Sequence, residues 1–179
     1  MKVKIIKVAT AEEINAVIKE GKVSEMPSIQ QNWRFNFDKQ LKKLKNATGY
    51  ILVTEEAPNV IQGCMIFQLI DKKTPYMAFV EVAPHNKKGI KEYANVAGCL
   101  IAFAWQLSVI QGVGDYNGML QLDVMEEKKE DEVKLMALYS TKYNAKRWDG
   151  TTMVIIDDDG EALVAKYLTP KPEKENEEE

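Results

Sequence analysis

The chain has 179 residues, 45% of them hydrophobic and 28% charged, with a net charge of −3; this fits one globular domain and excludes a disordered chain, a fibrous repeat or a coiled-coil rod. One His and two Cys exclude a His-rich zinc or haem site, a disulfide framework and a multi-cysteine cluster, so no metal is expected. The acidic balance offers no field for nucleic acid, whose phosphates reward dense Lys/Arg surfaces, and the amino terminus MKVKIIKVATAEEINAV lacks the apolar run of a signal peptide, so the expected setting is a reducing cytoplasm.

Residues 2–9 (KVKIIKVA) alternate and are rich in β-branched side chains, which predicts a strand. Thr10-Ala11-Glu12-Glu13 fits a capping box and predicts a helix from Thr10, with Ile14, Val17 and Ile18 on its apolar side. Residues 21–31 carry Gly21, Pro27 and two serines and read as a connection. From Trp33, the segment WRFNFDKQLKKLKN places Phe37, Leu41 and Leu44 at helical spacing.

After Gly49 the period changes to that of strands. YILVTEE, VIQGCMIFQLID and YMAFVEVAP, separated by turns at 57–59 and 72–75, predict a three-stranded antiparallel meander. Residues 93–111 predict a helix with Val96, Leu100, Phe103, Leu107 and Ile110 on one stripe. Its strongly apolar part, 97–110, has the length of a buried core helix and falls short of the ~20 residues of a membrane span, so no membrane partner is expected. A strand at 118–125, a charged loop, a helix at about 132–143, a strand at 151–157 and a short helix at 160–168 follow. The single domain then spans 1–168, and 169–179 (TPKPEKENEEE) reads as an acidic disordered tail. The order β-α-α-β-β-β-α-β-α-β-α predicts an α/β domain with a mixed sheet and helices on both faces.

Chemistry concentrates in Phe79-Val80-Glu81-Val82-Ala83-Pro84, the basic loop with Lys87, Lys88 and Lys91, and the small-residue helix start through Asn95, Val96, Ala97 and Gly98. A strand, a basic loop and a helix amino terminus form an anion site, because the first amides of a helix have no internal partner and its dipole favours negative charge. Ala97 and Gly98 either let a diphosphate approach or only allow close helix-to-sheet packing. Alternation puts Glu81 on the strand face of Met77 and Phe79, so this carboxylate needs a partner, for example Arg34, or a chemical task. Trp33, Phe35 and Phe37 either line the acceptor side of a cleft or pack in the core. Cys64 and Cys99 read as small buried groups, and His85 as a surface residue.

Over roughly residues 49–168 this pattern resembles the GCN5-related N-acetyltransferase superfamily. Val82-Ala83-Pro84 matches its strand end, Glu92-Tyr93-Ala94-Asn95-Val96-Ala97 falls at its phosphate loop, and Leu138-Tyr139-Ser140-Thr141-Lys142-Tyr143-Asn144-Ala145 matches its tyrosine-bearing helix end, with Asn144 in a left-handed cap. The resemblance implies an acyl-CoA N-acyltransferase-like sheet with a splayed pair of central strands, parting after Glu81. It implies acetyl-CoA as co-substrate, held by Val82, Ala83, Asn95, Val96, Ala97 and Gly98, and an amine of a small molecule or protein as acceptor. It further implies Glu81 as general base and Tyr139 as general acid, with Ser140 competing for the second role. A homodimer is the remaining partner considered. Asn95 stands where Gly is usual and Glu92 where Gln or Arg is usual. Those two departures support the alternative of a non-catalytic binding or regulatory module on the same fold.

Overall fold

Strand β1 (Lys2–Lys7) turns back through a left-handed Ala11 (φ 58°) into β2 (Glu12–Glu20), and the two pair antiparallel from Lys2↔Val17 to Lys7↔Glu12. The computed structural model describes residues 1–87, 89 and 91–168 of the chain; the acidic tail expected at 169–179 lies outside the described residues. The hairpin replaces the helix predicted from Thr10. Ile14, Ala16 and Ile18 form a period-two face as readily as Ile14, Val17 and Ile18 form a helical one, and β2 gains hydrogen-bonded neighbours on both sides, β1 and β3. The Thr10 hydroxyl donates to the Glu12 carboxylate (2.7 Å) instead of capping a helix.

Two single-turn 3-10 segments lead to α1 (Phe37–Lys43), which begins four residues after the predicted Trp33. The meander forms as predicted: β3 (Ala47–Thr54), β4 (Ile61–Ile70) and β5 (Thr74–Val82) pair antiparallel in sequence order. A two-residue strand β6 (Tyr93–Ala94) joins the outer edge of β1, and α2 (Val96–Gln111) follows. The chain continues through β7 (Met119–Asp123), α3 (Lys129–Tyr143), β8 (Lys146–Asp149), β9 (Thr152–Ile156) and α4 (Asp157–Tyr167). Strand β8 was not anticipated, since Lys146, Arg147 and Asp149 give it no apolar face and all four of its residues are exposed. Among the described residues the sheet order is β6-β1-β2-β3-β4-β5-β7-β9-β8, with β5 and β7 parallel and the other pairs antiparallel.

Apolar side chains on both faces of the sheet explain the unbroken runs in β3 and β4. Leu52, Met65 and Phe67 face α2, where Leu100, Ile101 and Trp105 complete the larger core. Ile51, Val53, Cys64 and Ile66 face the other way, onto Met26, Trp33 and Phe37. The expected stripe on α2 widens into burial on most sides, because α4 lies along it: a Cβ on Gly160 would overlap the Trp105 indole, and one on Gly98 would overlap the Tyr167 ring. No helix among the described residues is long and apolar enough to cross a membrane.

Gly160 gives a test of this packing. In an exposed helix Gly→Ala stabilises by up to about 1 kcal/mol, whereas forcing a methyl into a filled contact costs about 1–3 kcal/mol. Gly160→Ala is therefore expected to lower the urea midpoint at unchanged m-value; a raised midpoint would mean that α4 is not seated on Trp105.

Candidate active site

Strands β5 and β7 share one paired position, Tyr76↔Gln121. The parting of the sheet therefore starts five residues before Glu81, where it was expected. A bulge accompanies it: Ile66 faces Phe79 and Phe67 faces Met77 across the β4 ladder, which leaves Ala78 as the extra residue. The bulge shifts the alternation by one, so Met77 and Val80 join the larger core while Ala78 and Phe79 join the other face. Glu81 therefore does not share the face of Met77. Between the parted strands lies a wedge of about 210 Å³ whose walls include Phe35, Phe79, Val80, Leu122 and Tyr139. Trp33 and Phe37 are buried, while Phe35 reaches the wedge, its ring 5.1 Å from that of Phe79.

The Glu81 carboxylate accepts the Arg34 N–H (2.8 Å), the Phe35 N–H (3.3 Å) and the Lys87 ammonium (2.7 Å). This side chain, 7% exposed, ties the segment before α1 to the end of β5 and accounts for the late start of that helix. Arg34 was weighed as its ionic partner, and the contact is made by the Arg34 backbone. The guanidinium reaches instead across the wedge mouth to Glu126, with two bonds of 2.7 Å. That fork holds the Glu126 carboxyl below the usual carboxylate range and raises Arg34 above its ordinary value. Neither Glu126 nor the Arg34 fork was found from sequence: the two lie 92 positions apart, and EEKKEDE reads as a solvated loop.

Tyr139 lines the wedge from α3, and burial pushes its phenol up to about 12. Ser140 is not among the residues that line the wedge, and its hydroxyl donates to the Ala145 carbonyl at the helix end (2.9 Å). Asn144 takes the left-handed cap (φ 55°), as its sequence position predicted.

At the start of α2, Asn95 adopts the left-handed conformation (φ 69°) that a Gly would supply, and Cys99 N–H donates to the Asn95 carbonyl (2.9 Å). The amides of Val96, Ala97 and Gly98 meet no acceptor among the described residues. Gly98 is small for packing, since the Tyr167 ring fills its Cβ position. The Ala83 N–H is spent on the Gln62 carbonyl (2.9 Å), and Val82 is paired with Gly63.

The basic surroundings of α2 differ from those expected. Lys87 turns to Glu81, and Lys88 lies outside the described residues. Lys142 and Lys166 come instead from the ends of α3 and α4, and Lys142 is lowered by burial and by the charges of Lys91 and Lys166. Lys166 shares a groove with Asn95, and Tyr143 and Tyr167, beside the two lysines in sequence, lie 6.3 Å apart. The Glu92 carboxylate lies beside the Tyr93 phenol, which burial and Glu92 together raise. Buried Asn86, which sequence reasoning also missed, orders the loop before α2. Its amide group donates to the Gln62 backbone carbonyl and side chain and accepts the Tyr93 N–H. His85 contacts the same Gln62 side chain (2.7 Å).

No family model matches the sequence, and no curated protein matches it. Solved structures match its fold. The structure of AtaTR bound with AcCoA superposes with a TM-score of 0.54 at 12% identity, covering 83% of this chain and 97% of that one. The KacTA–DNA complex gives 0.56 at 10% identity, over 84% and 99%. The GCN5-related glucosamine N-acetyltransferase region of a fungal multi-domain GH3 β-N-acetylglucosaminidase gives 0.52 at 15% identity, over 78% of this chain and 18% of that one. The chain has the GCN5-related N-acetyltransferase fold.

Replacing Glu81 by Ala strands two backbone amides and the Lys87 ammonium. A cost of about 1–3 kcal/mol is expected in urea unfolding, together with faster amide exchange at Arg34 and Phe35. Unchanged exchange at those two amides would contradict the tether.

Proposed function

We propose that the protein is an acetyl-CoA-dependent N-acetyltransferase, moving an acetyl group to an amine of a small molecule or protein. The observation that carries this reading is the juxtaposition of parted strands with an open helix amino terminus that has Lys166 beside it. The unpaired amides of Val96, Ala97 and Gly98, with Lys166 sharing a groove with Asn95 and the charges of Lys91 and Lys166 reaching Lys142, suit a diphosphate-bearing co-substrate. The shared fold of the AtaTR structure, which holds AcCoA, supports the same assignment.

In the transfer one C–N bond forms and the thioester C–S bond breaks; of the two protons lost by the ammonium nitrogen, one goes to the leaving sulfur and the other to solvent. The chain supplies positioning and hydrogen bonds. Val82, which ends β5, and Ala83 after it would hold the extended arm, and Asn95 sets the turn that aims the α2 amides. A phenol at about 12 keeps its proton at physiological pH, so Tyr139 offers a standing O–H donor to the departing sulfur. Glu81, with three N–H donors already, holds the Arg34–Phe35 wall and acts as a positioning residue. A direct general base would need an open lone pair toward the amine.

A thermal shift with coenzyme A tests the reading first. Ligand at 100 times its dissociation constant stabilises by about 2.7 kcal/mol, several degrees for a domain of this size. No shift at millimolar coenzyme A, or an equal shift in Lys142→Glu, would overturn the site. A shift without turnover on any amine would leave the binding module suggested by Glu92 and Asn95. Tyr139→Phe is expected to lower kcat by about a hundredfold. Glu81→Gln is expected to raise the KM for the amine at nearly unchanged kcat, whereas a base role would collapse kcat and flatten its pH profile.

A further inference from the structure

We propose that Glu126 is the specificity residue for an acceptor carrying two aliphatic amines, and that the Arg34 guanidinium fills, in the free protein, the place the second ammonium takes. The proposal rests on the acetyl-transfer reading above and names the substrate class for the same wedge.

The charged groups lining the wedge are Arg34, Asp123 and Glu126. Asp123 is committed: its carboxylate accepts the Tyr76 hydroxyl (3.0 Å) and the Thr152 hydroxyl. Among the described residues Glu126 is held by the guanidinium of Arg34 alone, a side chain 47% exposed against 17% for Glu126 itself. The Arg34 backbone is pinned by Glu81, so the guanidinium can swing out while the wall stays in place. The guanidinium is half-exposed, so water can take up its donors when an ammonium of matching charge replaces it on Glu126.

Swinging out uncovers negative charge. Glu126, Glu81 and Glu127 all act on the Arg34 guanidinium, and of these Glu81 has a second cation, Lys87. A single amine cannot restore the balance. To attack, its nitrogen must be neutral, and the apolar wall of Phe35, Phe79, Val80 and Leu122 favours that state. Glu126 is then satisfied only if Arg34 stays or a second ammonium arrives. A diamine meets both demands, with a neutral nitrogen inside the wedge and a protonated one on Glu126 by a charge-assisted hydrogen bond.

The test is calorimetric binding of 1,4-diaminobutane and of n-butylamine, with coenzyme A present, to the wild type, Glu126→Gln and Arg34→Gln; the last keeps the backbone N–H that Glu81 holds. The wild type is expected to bind the diamine at least about tenfold more tightly than the monoamine, the scale of one hydrogen bond to a charged group. Glu126→Gln is expected to erase that preference with the coenzyme A thermal shift intact, and Arg34→Gln to tighten diamine binding by removing the competitor. Equal affinities in the wild type, or a preference that survives in Glu126→Gln, would overturn the proposal. Diamine preference without acetyl transfer would support the Glu126 subsite and overturn the transfer reading instead, so the two fail separately.

Discussion

Beyond Tyr76 and Gln121, strands β5 and β7 stop pairing, and the rest of the molecule is arranged around that gap. Parallel strands in one sheet ordinarily continue their ladder to the end of the shorter one. Here the extra residue at Ala78 bends β5 away and reverses which side chains face which layer. Val80 keeps the larger core, and Glu81 emerges opposite the segment before α1. Without the bulge the carboxylate would point into the face held by Met77, among the apolar side chains of the larger core. With it, two backbone amides and Lys87 satisfy a nearly buried charge, and the same bonds hold Arg34 and Phe35 as a wall of the wedge.

The wedge lies between surroundings of opposite polarity. Toward α2, Lys91, Lys142 and Lys166 gather with no carboxylate partner among the described residues, and burial, then the charges of the other two, lower Lys142. At the mouth, three glutamates act on Arg34. The net charge of −3 averages over this division. Charges gathered at a low-dielectric cleft act more strongly than the same charges spread over a surface, so the local signs and not the total set the polarity on either side of the wedge.

Much of this was legible from local pattern. The alternating runs of the meander, the uncharged stretch of α2 and the Asn144 cap each depend on residues within a few positions of one another, and each lies close to where the sequence put it. The errors arose where two local patterns were equally good. Residues 12–20 satisfy helical and extended periodicity alike, and the choice fell to the neighbouring strands β1 and β3. The site shows the same division. Tyr139, weighed with Ser140 as its competitor, lines the wedge, while the Ser140 hydroxyl donates to the Ala145 carbonyl at the helix end. Lys142, Lys166 and Glu126 were missed because their significance comes from distant elements meeting.

The sequence by itself determined the strand meander, the buried helix and the left-handed cap at Asn144, and with one His and two Cys in the whole chain it turned the expected chemistry toward Glu, Tyr and backbone amides. These follow from side-chain volume, periodicity and backbone preference, which act over short spans of chain. The tertiary structure alone decided that Glu81 is a tether, that the lysines near α2 come from three separate segments, and that Arg34 closes onto Glu126. Apart from Glu81 and Lys87, each of these brings together residues tens of positions apart, through contacts that leave no mark on periodicity.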